Sequence, residues 1–392
     1  MENNLNSQEL HSNFDRLESL PLFHFSLHAK ELFHSNFLVW MAKDKDLRLL
    51  FKKVMVGIGI DEKIVESWGD KFEVVREEQN LDILIKAKDT DTPTWYAVIE
   101  NKVKSIPTSG QLDKYTKTIE KVCKKTHRDP KEVKKILLTL DGYNENLPEG
   151  WQPASYSQIS TVLTKSKIKI SNSYKKEIVK DYNKMLQSLI EIINYYKVSL
   201  DNKFLLETED KEDLQQLRID DLVDKWRAAQ MASKFNMEYG SKYSSECTQN
   251  YTNNQPLIEV YRHMKDDKTE KDIEQVTIGV QIQGKQYRHC IIAKISEDDV
   301  NEIPKASFGF LCEGRETFRN KMIKKHPDVF ENISIRGEKN KKFCSYDKKK
   351  KGKIFWYQYA TIKEDATIKD IFECMAADLK EIEEIKRAHF GC

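Results

Sequence analysis

The sequence predicts an α/β core followed by an α+β region. Three observations carry this. Apolar residues at helical spacing give way to three consecutive strand-like runs, then a helix and a fourth strand. A long amphipathic stretch, Tyr174 to Lys197, closes that region. The composition then turns acidic between Lys203 and Asp224 ("ETEDKED") before a second succession of helices and strands. The 392 residues divide accordingly into 1–200 and 201–392, each long enough to bury its own core.

After a polar lead, "PLFHFSLHAKELFHSNFLVWMA" sets Leu27, Leu32, Phe33, Phe37, Trp40 and Met41 at helical spacing. "KDKDLRLLFKKVMVGIGI" reads as a second helix closed by glycines. "KFEVVREE", "NLDILIKAK" and "WYAVIENKV" are the three strands, with turn residues "DTDTP" before the third. "SGQLDKYTKTIEKVCKK" is a helix with Ser109 as its N-cap, and "KKILLTLDGY" is the fourth strand. In the second half "DDLVDKWRAAQMASKF" is helical, and "QVTIGVQIQ", "YRHCIIAKIS" and "KIFWYQYATI" are strands. The last helix carries an apolar stripe (Ile368, Ile371, Phe372, Met375, Leu379, Ile382, Ile385) suited to core packing or dimerisation rather than to a membrane.

Composition narrows the function classes. Charged residues make up 33% of the chain yet balance to +2, so attraction to a polyanion has to come from local patches. No apolar run approaches the ~18 residues of a membrane helix, and the start "MENNLNSQEL" is unlike a secretory signal. The seven cysteines are scattered and form no C-x-x-C pair, which argues for a reducing compartment and against a disulfide framework or zinc site. His24 and His28 lie one turn apart but lack the H-E-x-x-H arrangement. A cytoplasmic protein is expected.

The third strand poses a chemical question. Tyr96, Val98, Glu100 and Lys102 share one face of it, so an apolar strand ends in a glutamate and a lysine side by side. Buried charges are costly unless they are paired or hold a metal. Asp82 lies in the second strand with seventeen residues between it and Glu100, the separation that two adjacent antiparallel strands require. Two such carboxylates offer hard oxygens to Mg²⁺. A lysine next to that ion can hold a water and offset charge on phosphate. Glu31 sits on the first helix, with His34 and Ser35 on its face and suited to hydrogen-bond to the site. Glu77 and Glu78 fit a solvated turn better than an extra ligand set.

"D-x17-E-N-K" followed by "Q-L-D-K-Y" resembles the PD-(D/E)XK nuclease superfamily, in the branch whose next helix carries Q-x-x-x-Y. "ELFHSNFLVWM" is similar to the E-x-x-H-S-x-F-L-x-W segment of a bacterial group in it. The resemblance covers about residues 22–197; Leu81 stands where the family's proline precedes the aspartate. It implies a restriction-endonuclease-like core, a mixed central sheet flanked by helices, and hydrolysis of DNA phosphodiester bonds with Mg²⁺ or Mn²⁺. Asp82 and Glu100 match the metal-binding acids, Glu31 the helix glutamate that contributes to them, and Lys102 the catalytic lysine. Gln111 and Tyr115, one turn apart on a helix, match the pair that orients the lysine and the scissile phosphate. RNA stays open as a substrate, as does a non-catalytic nucleic-acid-binding subunit that keeps the fold. Stand-alone nucleases of this kind often serve bacterial (antiviral) defence or mobile elements.

Two basic patches fit such a substrate. Lys102 to Lys135 holds eleven Lys/Arg against four Asp/Glu, and Arg319 to Lys353 thirteen against four, interleaved with Phe330, Phe343 and Tyr346. The second patch, with the tract Lys348 to Lys351, makes the C-terminal region a candidate surface for nucleic acid, a partner protein or a second copy of the chain.

Overall fold

The computed structural model describes residues 7–26, 30–88, 94–103, 109–140, 147–240, 246–252, 255–264, 276–294, 315–331 and 353–390. Leu27, His28, the "DTDTP" turn, Phe343, Tyr346 and Lys348 to Lys351 lie outside them. The chain forms two compact units, one of residues 1–197 and 213–226, the other of 198–212 and 227–392.

The first unit runs α1 (Ser7–Glu18), α2 (Pro21–Ser26), α3 (Lys30–Lys43), α4 (Arg48–Gly57), α5 (Glu62–Ser67), β1 (Phe72–Arg76), β2 (Ile83–Ala87), β3 (Trp95–Lys102), α6 (Ser109–Lys125), β4 (Lys134–Thr139), β5 (Trp151–Ser155), α7 (Tyr156–Lys165) and α8 (Ser173–Tyr195). The strands form one sheet in the order β1-β2-β3-β4-β5. β1, β2 and β3 pair antiparallel, whereas β4 runs parallel to β3 and β5 parallel to β4. This is the mixed sheet flanked by helices that the sequence implied. β3 sits at its centre and is buried on both faces. Pro153 is tolerated in β5 because that strand is an edge. Between β1 and β2 the chain turns through left-handed residues Glu77, Gln79 and Asn80 (φ 58°, 55° and 64°). Glu78 is paired there with Lys86 at 2.7 Å, and Glu77 is exposed.

Several elements went unread in the sequence. The apolar stretch from Pro21 is two helices, α2 and α3. The polar lead forms α1, which buries Leu10, Phe14 and Leu17 and packs on α8. Strand β5 and helix α7 also appear, α7 held at its start by a capping box of Ser155 and Gln158.

The second unit takes in parts of α9 (Thr208–Gln216) and α10 (Asp220–Phe235), then β6 (Cys247–Thr252), β7 (Gln255–Met264), β8 (Val276–Gln283), β9 (Gln286–Lys294), α11 (Arg315–Lys325), β10 (Phe330–Glu331), β11 (Lys353–Ile362) and α12 (Ile368–Phe390). Its sheet has the order β10-β11-β9-β8-β7-β6, antiparallel throughout. The stripe of α12 packs on Ile278, Val280, Ile282, Tyr287 and Ile291 of that sheet. Core packing therefore accounts for the stripe.

A polar cluster pins α12 to the sheet. Asp378, fully buried, accepts from Tyr287 Oη at 2.6 Å and meets His289 Nε2 at 2.7 Å, with Lys325 Nζ 3.6 Å from its other oxygen. Burial works against the Asp378 charge, but His289, Tyr287 and Lys325 outweigh it and hold the carboxyl below its ordinary value. Asp378→Ala strands two buried polar groups and is expected to cost about 3–5 kcal/mol in urea unfolding of the whole chain. A cost under about 1 kcal/mol, the scale of an ordinary hydrogen bond, would show the cluster to be incidental.

Candidate active site

Strand register brings the two acids together. Ile83 pairs with Ile99, so Asp82, one residue before β2, comes beside Glu100, one residue further along antiparallel β3. Asp82 thus opens its strand rather than ending it. The Asn101 backbone N–H donates to Asp82 Oδ2 at 2.9 Å and holds it there.

Glu100 is fully buried. Its Oε1 meets Lys102 Nζ at 2.8 Å and accepts from Gln111 Nε2 at 2.7 Å. Alternation along β3 puts Glu100 and Lys102 on the face covered by α6, as the sequence reading required. Gln111 also reaches Tyr115 Oη at 2.8 Å, and Tyr115 packs on the core beneath α6 that includes Leu112, Ile119 and Val98. Five of the six expected residues are therefore in contact: Asp82, Glu100, Lys102, Gln111 and Tyr115. The helix pair touches the lysine's partner, Glu100, rather than the lysine. Glu31 is placed through its backbone, its carbonyl accepting from Asn101 Nδ2 at 2.9 Å, and its charge acts on Asp82 and Lys102.

Electrostatics at this cluster are strained. Burial, then the neighbouring Asp82 carboxylate, pushes Glu100 up to about 7 against the pull of Lys102. Burial also raises Asp82, with the Asn101 N–H and Lys102 opposing and Glu31 adding to the shift. Lys102 is raised despite its burial because Glu100, Glu31 and Asp82 surround it. Glu100 Oε2 is buried with no hydrogen-bond donor. A proton, a water or a cation can satisfy an oxygen so placed, and two adjacent carboxylates are the oxygen donors that Mg²⁺ or Mn²⁺ accepts. Among the described residues no group of three or more His, Cys, Asp and Glu side chains forms a full ligand set. An ion here would complete its shell with water and phosphate oxygens.

His24 accounts for itself locally, its Nε2 lying 2.6 Å from the Glu18 carbonyl. Asn101 and Tyr156 are the residues that sequence reasoning passed over. Tyr156 Oη donates to Asn101 Oδ1 at 2.8 Å across 55 positions of sequence, a contact that no local pattern signals.

The raised Glu100 carboxyl has a consequence for stability. Between its ordinary value of 4.5 and about 7, the folded chain keeps a proton that the unfolded chain has released. Stability therefore falls as pH rises through that window. Glu100→Gln should flatten this part of the stability–pH curve in metal-free buffer, by a difference on the order of 3 kcal/mol between its ends. A curve unchanged by the substitution would contradict the raised value.

The family model of the PD-(D/E)XK nuclease superfamily matches residues 22–197. No curated protein and no solved structure matches the chain. The matched segment spans the helix with Glu31, the acids at the β2–β3 edge, the lysine and the helix with Gln111 and Tyr115. Residues 22–197 of this chain belong to the PD-(D/E)XK nuclease superfamily.

Proposed function

We propose that this chain hydrolyses DNA phosphodiester bonds with Mg²⁺ or Mn²⁺ held by Asp82 and Glu100. The observation that carries the reading is the donorless, buried Glu100 Oε2 beside Asp82, with Lys102 2.8 Å from the other oxygen of Glu100. When bound, the ion supplies Lewis acidity at a phosphate oxygen and an acidified water. An ionised Glu100 and Asp82 would hold the ion, and Lys102, beside Glu100, would hold the attacking water and meet charge developing on the phosphate. Gln111 fixes the Glu100 carboxylate, and Glu31 adds negative charge from α3.

Helix α6 supports a polyanionic substrate. Lys114, Lys117, Lys121, Lys124 and Lys125 are exposed on it and make no ion pair among the described residues. Counterion release along a phosphate backbone rewards such a row. DNA is preferred to RNA on the family resemblance, as are a place in bacterial defence or a mobile element and a cytoplasmic site of action.

Lys102→Ala should lower single-turnover cleavage by about 10²–10³-fold while leaving DNA affinity, titrated with Ca²⁺, within about twofold. Lys102→Arg should not rescue it, because a broad guanidinium fork does not fit a point-charge position. Linear, circular and single-stranded DNA and RNA, each with Mg²⁺, Mn²⁺ and EDTA, define the substrate. Cleavage by both variants at the wild-type rate, or by EDTA-treated protein, would overturn the mechanism. RNA cut in place of DNA would change the substrate alone.

The C-terminal region is proposed to bind nucleic acid through its basic block. Charge reversal at Lys348, Lys349, Lys350 and Lys351 should weaken DNA binding and flatten its salt dependence, leaving the saturated cleavage rate as it was. An unchanged salt slope would assign the tract to solubility.

A further inference from the structure

Asn101 lies between Glu100 and Lys102 in sequence but on the opposite face of β3, towards α3 and α7. It is fully buried, and both of its side-chain polar atoms have partners. Its backbone N–H donates to Asp82 Oδ2 at 2.9 Å. Its Nδ2 donates to the Glu31 carbonyl at 2.9 Å and to Ser35 Oγ at 2.9 Å, and its Oδ1 accepts from Tyr156 Oη at 2.8 Å. The His34 ring packs edge-on against Tyr156, and its Nδ1 stands 2.9 Å from Tyr182 Oη. One residue thus joins Asp82, the turn of α3 that carries Glu31, and the first turn of α7.

Asn101 Oδ1 only accepts, so the single Tyr156 hydroxyl proton points at it. Rotating the Asn101 amide by half a turn would set its oxygen against the Glu31 carbonyl, acceptor to acceptor. The amide has one satisfied orientation.

We infer that Asn101 is a positioning residue: the Tyr156 hydroxyl on one side and the Glu31 carbonyl and Ser35 hydroxyl on the other lock its amide, and the lock sets Asp82 and the Glu31 turn against Glu100 for cation binding. This rests on the proposed reading of Asp82 and Glu100 as the cation site. Groups that hold metal ligands from outside commonly change metal affinity by about 10–100-fold when removed.

The experiment compares three variants of the full chain by thermal unfolding and by calorimetric titration with Mn²⁺. Tyr156→Phe deletes the proton that meets Asn101 Oδ1 and keeps the ring. Ser35→Ala deletes an acceptor on the other arm of the lock. Ser160→Ala is the control: it sits one turn along α7 from Tyr156, is buried, and spends its hydrogen bond on Asn183 at 2.8 Å. All three should lose a similar amount of thermal stability. Tyr156→Phe and Ser35→Ala should bind Mn²⁺ about tenfold more weakly, and Ser160→Ala like wild type. Should Tyr156→Phe fail to fold, Ser35→Ala decides. A wild type that binds Mn²⁺ while both lock variants match the control overturns this inference and spares the site. A wild type that binds no Mn²⁺ overturns both.

Discussion

Two carboxylates forced together inside the protein govern the rest of the first unit. The β2–β3 register sets Asp82 beside Glu100, and burial denies Glu100 water while Asp82 stays partly exposed. Like charges so placed repel, and desolvation disfavours each. The fold answers with what it has nearby: an ammonium from Lys102, an amide from Gln111, and the backbone N–H of Asn101. These donors cover one oxygen of each acid. The remaining Glu100 oxygen has no hydrogen-bond donor, and neither has Asp378 Oδ1 in the second unit, yet the two carboxyls are shifted in opposite directions. Asp378 is drawn below its ordinary value by its partners, whereas Glu100 is driven above its own.

The centre of a sheet suits this task. β3 has a neighbour on each side and a layer on each face, so consecutive residues serve different layers without moving one another. Glu100 and Lys102 look towards α6. Asn101 looks towards α3, α7 and α8, where His34, Tyr156 and Tyr182 form a compact aromatic group; Tyr182 also stacks on Phe37 with ring centroids 3.6 Å apart. The same short stretch therefore ties a charged pocket to a rigid aromatic block. Rigid packing behind a charged site is what keeps opposed carboxylates from relaxing apart.

Legibility in the sequence followed the range of the interactions. Glu100 and Lys102 stood out because strand alternation is local and a charge in an apolar strand violates it visibly. Gln111 and Tyr115 share a helix face, also a local property. His34 and Ser35 were legible as neighbours of Glu31, and both do hydrogen-bond into the group around Asn101. Tyr156 was not, because its meaning depends on Asn101, 55 residues away. The overlooked elements fail for related reasons. β5 contains a proline and is stable only as the edge partner of β4. α1 is mostly polar, and its few apolar residues become a helix face only where α8 receives them. β6 and β7 likewise depend on their neighbours in the sheet of the second unit rather than on a pattern of their own.

Helix α6 joins the two halves of the chemistry. Its inner face, with Leu112, Ile119 and Cys123, anchors it on the sheet, and Gln111 and Tyr115 at the border reach Glu100. Its outer face carries the exposed lysines. On the proposed function, a phosphate backbone drawn to those lysines would meet the helix whose first turn carries Gln111, the partner of Glu100. Charge on a loop would attract the same polyanion without fixing where its phosphates fall, whereas a helix with a 1.5 Å rise per residue holds lysines and glutamine in constant relation. The whole chain is near-neutral, so the exposed lysines of α6 are a local excess of positive charge, set on the helix that reaches Glu100.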